Sequence, residues 1–414
     1  MFTSFSTALS ALSAHATAVD VVGNNLANLN TTGFKTNVVS FHDLVTQSLG
    51  TGLGETQVGF GVGRPTTIRQ FSQGAIQSSN GPLDVAIQGD GFLVVKDRAG
   101  QQLYTRGGAL QVDKNGNLLT VTGQAVQGWN KTNGVLNTNG ATSSMVVPVG
   151  TVKAPVASQS FSFNMNLDAA ATAGPPPTTF ESSIEVFDSL GASHVVSVTF
   201  TKSATANQWD YSISVPDSEV SAPVAPVTGS LTFDNLGKLA TPAVTDTMPS
   251  IDITGLNSGA QDLTITWQLY DGQTPRITQF AQPTAVSANA QDGSPASQLI
   301  RVAIGDGGTV RAQYSNGQQE TVGQLAMASI RNPESMVAIG DNNYQLSERS
   351  ALPAIGAPGT GGRGSILGGA TEYSTVDIAR EFTQLIVLQR GYQANAKVIT
   401  AVDELSQETI NLKR

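Results

Sequence analysis

The sequence predicts a mixed fold. An α-helix at each chain end pairs with the other as a coiled coil, and two mainly-β domains lie between them, one inserted into the other. Three observations carry this. Apolar residues recur at alternating four- and three-residue spacing near both termini. The long middle is built of short alternating runs separated by Asp and Gly turns. A Pro-rich connector, "ATAGPPPTT", interrupts that middle and marks the inserted part.

Residues 1–34 form the N-terminal helix of the helical domain. Its seam runs Phe5, Leu9, Leu12, Ala16, Val19, Gly23 and Leu26, with Phe5, Leu9, Leu12 and Val19 as the apolar contacts. From Phe2 to Val22 the only formal charge is Asp20, and Ser, Thr and Ala make up the opposite face. An ordinary solvated helix carries charge there, so this one reads either as a core helix or as a helix covered on several sides by other chains. It ends in "VVGNNLANLNTTGFK", with four Asn, two Gly and two Thr in fifteen residues. Taken alone, such residues read as a helix C-cap.

An irregular connecting segment is expected over 35–70. The inner β domain begins at 71–142 and resumes at 292–355. The inserted outer β domain, sandwich or barrel-like, occupies 143–291. Within it "DLTITWQLYDG" places Leu263, Ile265, Trp267 and Leu269 on one face of a half-buried strand. The turns "DKNGNL", "DSLGAS" and "DNLGKL" share one chemistry, with Asp capping the turn and Gly taking positive φ. Residues 356–373 carry a Gly-rich tract with seven Gly between Gly356 and Ala370, which reads as a flexible joint at Gly359, Gly361, Gly362 and Gly364.

The C-terminal helix occupies 374–414, opening at Ser374 as N-cap with Asp377 three residues on. Its seam runs Ile378, Phe382, Leu385, Gln389, Tyr392, Ala396 and Ile399, then Val402, Leu405, Thr409 and Leu412. Lys413 and Arg414 suit the negative end of the helix dipole. Each buried large apolar side chain is worth roughly 1.5–3 kcal/mol, so two stripes with nothing local to cover them should seek each other.

Composition excludes several functions. Charged residues are 13% of the chain, against about 25% in ordinary domains, and a surface this poor in ions can lie against copies of itself without desolvating many charges. The net charge of −9 argues against nucleic acid. The absence of Cys excludes disulfides and thiolate chemistry. No apolar run is long enough to span a membrane. The N-terminus lacks the basic and apolar regions of a cleavable signal peptide. Export, if it occurs, uses a signal that composition does not reveal.

The residues offer no catalytic, cofactor or metal site. Gly359, Gly361 and Gly364 spell G-x-G-x-x-G, but a loop precedes them and no helix follows directly. Counting "DKNGN" as a calcium loop puts Leu118 where Gly is required and Gln124 where Glu is required. His15, His42 and His194 lie far apart in the chain. Asp84, Asp90 and Asp97 read as solvated strand ends rather than a glycosidase pair. The chain is not expected to be an enzyme.

"GNNLANLNTTGFK" closely resembles the signature of the rod and hook family of bacterial flagellar axial proteins. Gly23, Asn24, Asn25, Leu26, Ala27, Asn28, Thr31, Gly33, Phe34 and Lys35 fall on it, and Leu29 stands where a small residue is common. "FSQGAIQSSNGPLDVAIQGDGFLVV", "YTRGGALQVDKNGNLLTVTGQAVQGW" and "EYSTVDIAREFTQLIVLQRGYQANAKVITAVDEL" resemble three further family segments, in the family's order. Together the resemblances cover both ends and the inner β domain. They imply a subunit of a tubular homopolymer exported through the flagellar type III apparatus without a cleaved signal. The added middle resembles the hook-forming members, which implies a distal rod protein, a cap protein and a hook–filament junction protein as neighbours. The ten signature positions are then an assembly motif. A distal rod subunit is the nearest alternative. An extracellular binding module, which would need an exposed aromatic platform, is the alternative from another class.

Overall fold

The computed structural model describes residues 2–44, 46–49, 56–132 and 134–411. Leu412, Lys413 and Arg414, where the second seam and its basic end were placed, lie outside the described residues. A helix stands at each end and the middle is mostly β. The chain divides into two compact units, one of residues 1–149, 301–313 and 319–414 and the other of residues 150–300 and 314–318.

In the first unit α1 (Phe2–Ala27) packs against α2 (Ile378–Asn411). The face that α1 buries is Ala8, Ala14, Ala18, Val22 and Asn25. Small side chains allow close approach: at Gly391 of α2 a Cβ would come within 2.8 Å of the His15 ring. The expected seam lies beside this face. Phe5 and Leu9 are 40% and 53% exposed, and Leu12 and Val19 are half-buried. The helix is rotated because Asn25 is anchored, and Val22 and Ala18 share its face at i−3 and i−7. Along α2, Leu385, Ile399 and Val402 are half-buried, while Ile378, Phe382, Tyr392 and Leu405 are exposed.

α2 starts later than Ser374. Asp377 is its cap, Oδ1 accepting from the Arg380 N–H at 3.0 Å. The Ser374 hydroxyl takes the Val376 N–H instead, and Thr375 is committed to Thr36.

Within 35–70, expected to be irregular, the described residues form two antiparallel strand pairs. β1 (Asn37–Ser40) pairs antiparallel with β4 (Thr66–Arg69), and β2 (Thr46–Leu49) pairs with β3 (Thr56–Gly59). The bridge Asp43–Val62 continues the ladder between them. The Val62 N–H donates to Ser10 of α1 at 3.2 Å.

The body of this unit is an antiparallel sheet. It runs from Gln319–Leu325 through Ala125–Asn130 to Phe92–Lys96, Gln102–Thr105, Asn343–Gln345 and Val337–Gly340. Phe92, Val94, Tyr104, Trp129, Ala328, Met336 and Tyr344 fill one core. The Gly-rich tract is sewn to this body. Ser365–Gly368 pairs with Val85–Gln88, and Ala370–Glu372 pairs with Ile76–Ser78. Gly359, Gly361 and Gly362 turn with positive φ between the strands Ala354–Gly356 and Ser365–Gly368, and the Gly364 N–H donates to Asp90 O at 2.6 Å. The tract is therefore an anchored loop rather than a free linker, and its G-x-G-x-x-G leads into a strand.

The second unit has two sheets around one core. One runs in chain order through Thr179–Phe187, Ser193–Lys202, Gln208–Ser214, Val227–Phe233 and Leu239–Thr241. The other orders Ser250–Ile253, Leu263–Trp267, Ser160–Asp168 and Ile277–Phe280, with Ala285–Gln291 also on Ser160–Asp168. Trp267 stacks on Phe161 at 6.0 Å and meets Phe200 and Tyr211 edge-on. Trp209 and Trp267 are fully buried, so they offer no binding platform. The three Asp turns share one geometry. Asp113, Asp188 and Asp234 each accept N–H groups two and four residues on, while Gly116, Gly191 and Gly237 take positive φ.

Candidate assembly site at the base of the helices

The signature "GNNLANLNTTGFK" leads out of α1 into the body. After Ala27 the chain turns on Asn28, whose N–H reaches Asn25 O at 3.0 Å and whose side-chain amide donates to Asn24 O at 2.9 Å. Thr31 donates its hydroxyl to Asn28 Oδ1. Gly33 has φ +71° and lies against the carbonyl of Arg106, where a Cβ would approach within 2.6 Å. Only Gly meets both conditions. Gly33, Phe34 and Lys35 are buried, while Gly23, Asn24 and Ala27 stay exposed.

Asn25 pairs with Asn37 as a neighbouring strand would. Its Oδ1 accepts the Asn37 N–H at 3.0 Å, and its Nδ2 donates to Asn37 O at 2.8 Å. The same Nδ2 donates to Glu381 Oε2 at 3.1 Å, in the first turn of α2. The amide thus ties α1, β1 and α2 at one point. Its donors and acceptor are therefore used inside the chain.

Lys35 is fully buried. Its Nζ donates to Glu372 Oε1 and to Ser72 O, both at 2.6 Å. The Gly74 N–H adds a 2.8 Å bond to Glu372 Oε1, and Arg106 Nη1 lies 3.4 Å from Oε2. The Gly33 N–H takes the Glu372 backbone carbonyl at 2.8 Å. Burial lowers the Lys35 ammonium pKa below its usual range; the Glu372 carboxylate opposes this, and the Arg106 charge adds to it. Two cations share one carboxylate, so removing Glu372 leaves two buried cations without their counter-charge, and removing Lys35 leaves the carboxylate to Arg106 alone at 3.4 Å.

An aromatic box closes the cluster. Phe71, Phe92 and Tyr344 pack edge-on with centroids 5.2–5.9 Å apart. Arg69 lies over Tyr344 and Arg106 over Phe92, at 5.1 and 5.4 Å. The Asn342 side chain, at the tip of the last hairpin, donates to Thr32 O at 2.9 Å. Residues of all four quoted segments thus meet here: Lys35, Gly74 with Phe71 and Phe92, Arg106, and Glu372. Lys35 was singled out from the sequence; Arg106 and Glu372 were not, because neither has an oppositely charged residue at helix or hairpin spacing.

The other sequence candidates are turn and contact residues. Asp97 Oδ1 caps its turn at the Gln101 N–H, Asp84 accepts from Ser79, and His15 packs beside Phe41. Among the described residues no cluster of three or more His or carboxylates is arranged to hold a metal, and no helix is long and apolar enough to cross a membrane.

Comparison with known proteins agrees with this ordering of segments. Residues 5–35 match the family of flagella basal body rod proteins, and residues 86–162 the D1 domain of flagellar hook protein FlgE/F/G. Residues 166–294 match the flagellar basal body protein FlaE D2 domain, and residues 367–412 the C-terminal family of flagellar basal body rod FlgEFG proteins. The chain is 32% identical to the flagellar hook protein FlgE of Treponema pallidum, with both chains covered completely. It is 32% identical to that of Escherichia coli, over 99% of this chain and 100% of the other. The crystal structure of Helicobacter pylori flagellar hook protein FlgE2 superposes with a TM-score of 0.53 at 14% identity, over 70% of this chain and 99% of that one. A signature helix at one end, its partner at the other and a D2 match between them, in relatives aligned end to end, place this chain in the flagellar hook protein FlgE family, whose members are structural subunits and not enzymes.

Proposed function

We infer that the chain builds the hook as a tubular homopolymer, and that the buried cluster around Glu372 sets the angle at which both helices leave the body. The observation that carries this reading is the 2.6 Å ion pair between Lys35, at the end of the signature, and Glu372, just ahead of α2. A subunit that repeats in a helical array must present the same surfaces in the same orientation every time. A shared buried anchor for both helices supplies that constancy.

On this reading the helices form a coiled coil lining the tube and the second unit, residues 150–300 rather than 143–291, forms an outer β-sandwich. Exposed Phe5, Leu9, Phe382, Tyr392 and Leu405 meet other copies. The Gly359–Gly364 loop is the place to look for compliance as the hook bends. The neighbours are the distal rod protein, the cap protein and the hook–filament junction protein, reached through type III export without a cleaved signal, and the polymer stands outside the cell. Because the full-length relatives above are hook proteins, a distal rod role is not favoured.

Replacing Lys35 by Met tests the anchor. The variant loses the 2.6 Å partner of Glu372 and the bond to Ser72 O but leaves Arg106 to balance the carboxylate. The thermal midpoint of the first unit should therefore fall, at a cost below the roughly 3–5 kcal/mol of a stranded buried charge. Cells carrying Lys35→Met should show few or misshapen hooks by electron microscopy. Normal hook number and curvature in that variant would remove the cluster from assembly.

A further inference from the structure

The second unit contains a buried polar cluster that the assembly reading does not use. His194, on the strand Ser193–Lys202, is buried. Its Nε2 lies 3.1 Å from Asp188 Oδ2, and its Nδ1 lies 3.0 Å from Glu219 Oε2. Asp188 is fully buried in the turn before that strand. Its Oδ1 takes the N–H groups of Leu190 and Ala192, and its Oδ2 takes the Ser258 hydroxyl at 2.6 Å. Glu219 ends the short 3-10 turn Asp217–Glu219; its carboxylate also faces the Val195 N–H, and its backbone carbonyl takes the Asn257 N–H at 2.9 Å. The charged groups set against the ring are thus Asp188, from the turn, and Glu219, from the 3-10 turn. The loop carrying Ser258 reaches Asp188 through a neutral hydroxyl.

The arrangement does not suit two familiar tasks. Ser258 bonds to the carboxylate rather than the imidazole, so no base stands ready to activate its hydroxyl. The two ring nitrogens face different carboxylates, so the donors do not converge on one metal position.

What the geometry demands is a proton. An ionised carboxylate only accepts hydrogen bonds, and a neutral imidazole has one N–H and one lone pair. A neutral ring would therefore satisfy one carboxylate and aim a lone pair at the other. We propose that His194 is held doubly protonated between Asp188 and Glu219, and that this proton closes a clasp joining the 188–194 turn, the 217–219 turn and, through Ser258, the following loop. The clasp holds while the ring keeps both protons and loosens as rising pH removes one. Asp188 stays a carboxylate throughout: burial raises its pKa, but the bonds from Ser258, His194 and the Ala192 and Leu190 N–H groups outweigh this and bring it to about 2.

The test uses the full chain with 15N-labelled histidine. Long-range 1H–15N spectra near neutral pH should show both His194 nitrogens protonated. The unfolding midpoint of the second unit should fall by about 2–4 °C on going from a pH at which the spectra show both nitrogens protonated to one at which they show a single proton. In His194→Gln that response should vanish. Should His194→Gln fail to fold, Glu219→Gln at the more exposed side of the cluster should flatten the response. A single protonated nitrogen on His194 near neutral pH overturns the proposal, as does a wild-type pH response that survives in either folded variant.

Discussion

Asn25 and Asn24 are adjacent in the signature and do opposite things. Asn25 is buried and occupies both backbone groups of Asn37, whereas Asn24 is exposed. Asn25→Ala leaves a part-buried N–H and C=O without partners, a cost of about 1–3 kcal/mol. Its first unit should melt earlier and its hook yield should drop, while Asn24→Ala should stay within about 0.5 kcal/mol of wild type. Equal melting of the two variants would contradict the pairing. Asp188 makes a pH prediction of defined sign. Because its folded pKa is lowered to about 2, its stabilisation is complete above the ordinary Asp value and is lost as pH falls toward 2. The gap in midpoint between wild type and Asp188→Asn should therefore shrink on acidification from about pH 5; a gap that is constant or widens would refute the assignment. Legibility at this scale was uneven. The sequence carried the turn role of Asp188 because Gly191 sits three residues away. It could not carry Lys35–Glu372, whose partners are 337 residues apart, so that neither charge announces the other.

At the scale of elements, periodicity revealed the helices but not their rotation. The four-three spacing selected Phe5, Leu9, Leu12 and Val19, yet in the single chain the packed face is the Ala8–Ala18–Val22 stripe beside it. A seam of large residues and a stripe of small ones can both follow helical spacing. Only the anchoring of Asn25 decides which turns inward. The start of α2 lies past Ser374 for a similar reason, since Ser374 spells a cap but its hydroxyl is used on the Val376 N–H. The pairing of Asn37–Ser40 with Thr66–Arg69 left little signal, because both strands are short, the first half-buried throughout and the second mostly exposed, without alternation. The Gly-rich tract looked loose because composition does not show the strands it pairs with. These exposed large residues make a prediction of their own. Leu9→Gln and Phe382→Gln remove apolar surface that the lone chain leaves 53% and 51% exposed. Subunit stability should hold within about 0.5 kcal/mol, while polymer yield should fall sharply in a sedimentation assay. Variants that melt early but polymerise normally would show these side chains to be internal supports instead.

At the scale of the whole molecule, the β parts and the helices are stabilised differently. Each unit has its own apolar core, with Trp267, Phe200 and Trp209 in one and Tyr104, Trp129 and Tyr344 in the other. The 34 residues of α2 bury only Glu381 among their described side chains. That one buried position lies in the first turn, beside the Asn25 anchor. Most helix stability in proteins comes from packing of an apolar face, and isolated helices are marginal in water. The anchored ends near Asn25 and Asp377 should therefore persist in a lone subunit, while the far turns of both helices fray. Stacked copies would cover Phe5, Leu9, Phe382, Tyr392 and Leu405, and that burial would offset the lost chain entropy. Circular dichroism of the same preparation before and after polymerisation should record a rise in helical signal at 222 nm, an ordinary helix band, with the β contribution unchanged. Lys35→Met should begin with less helix than wild type, because it loosens the ends that hold the rest in register. If monomer and polymer give the same helical signal, the two ends are already complete in one molecule, and assembly must be driven by surfaces other than these stripes.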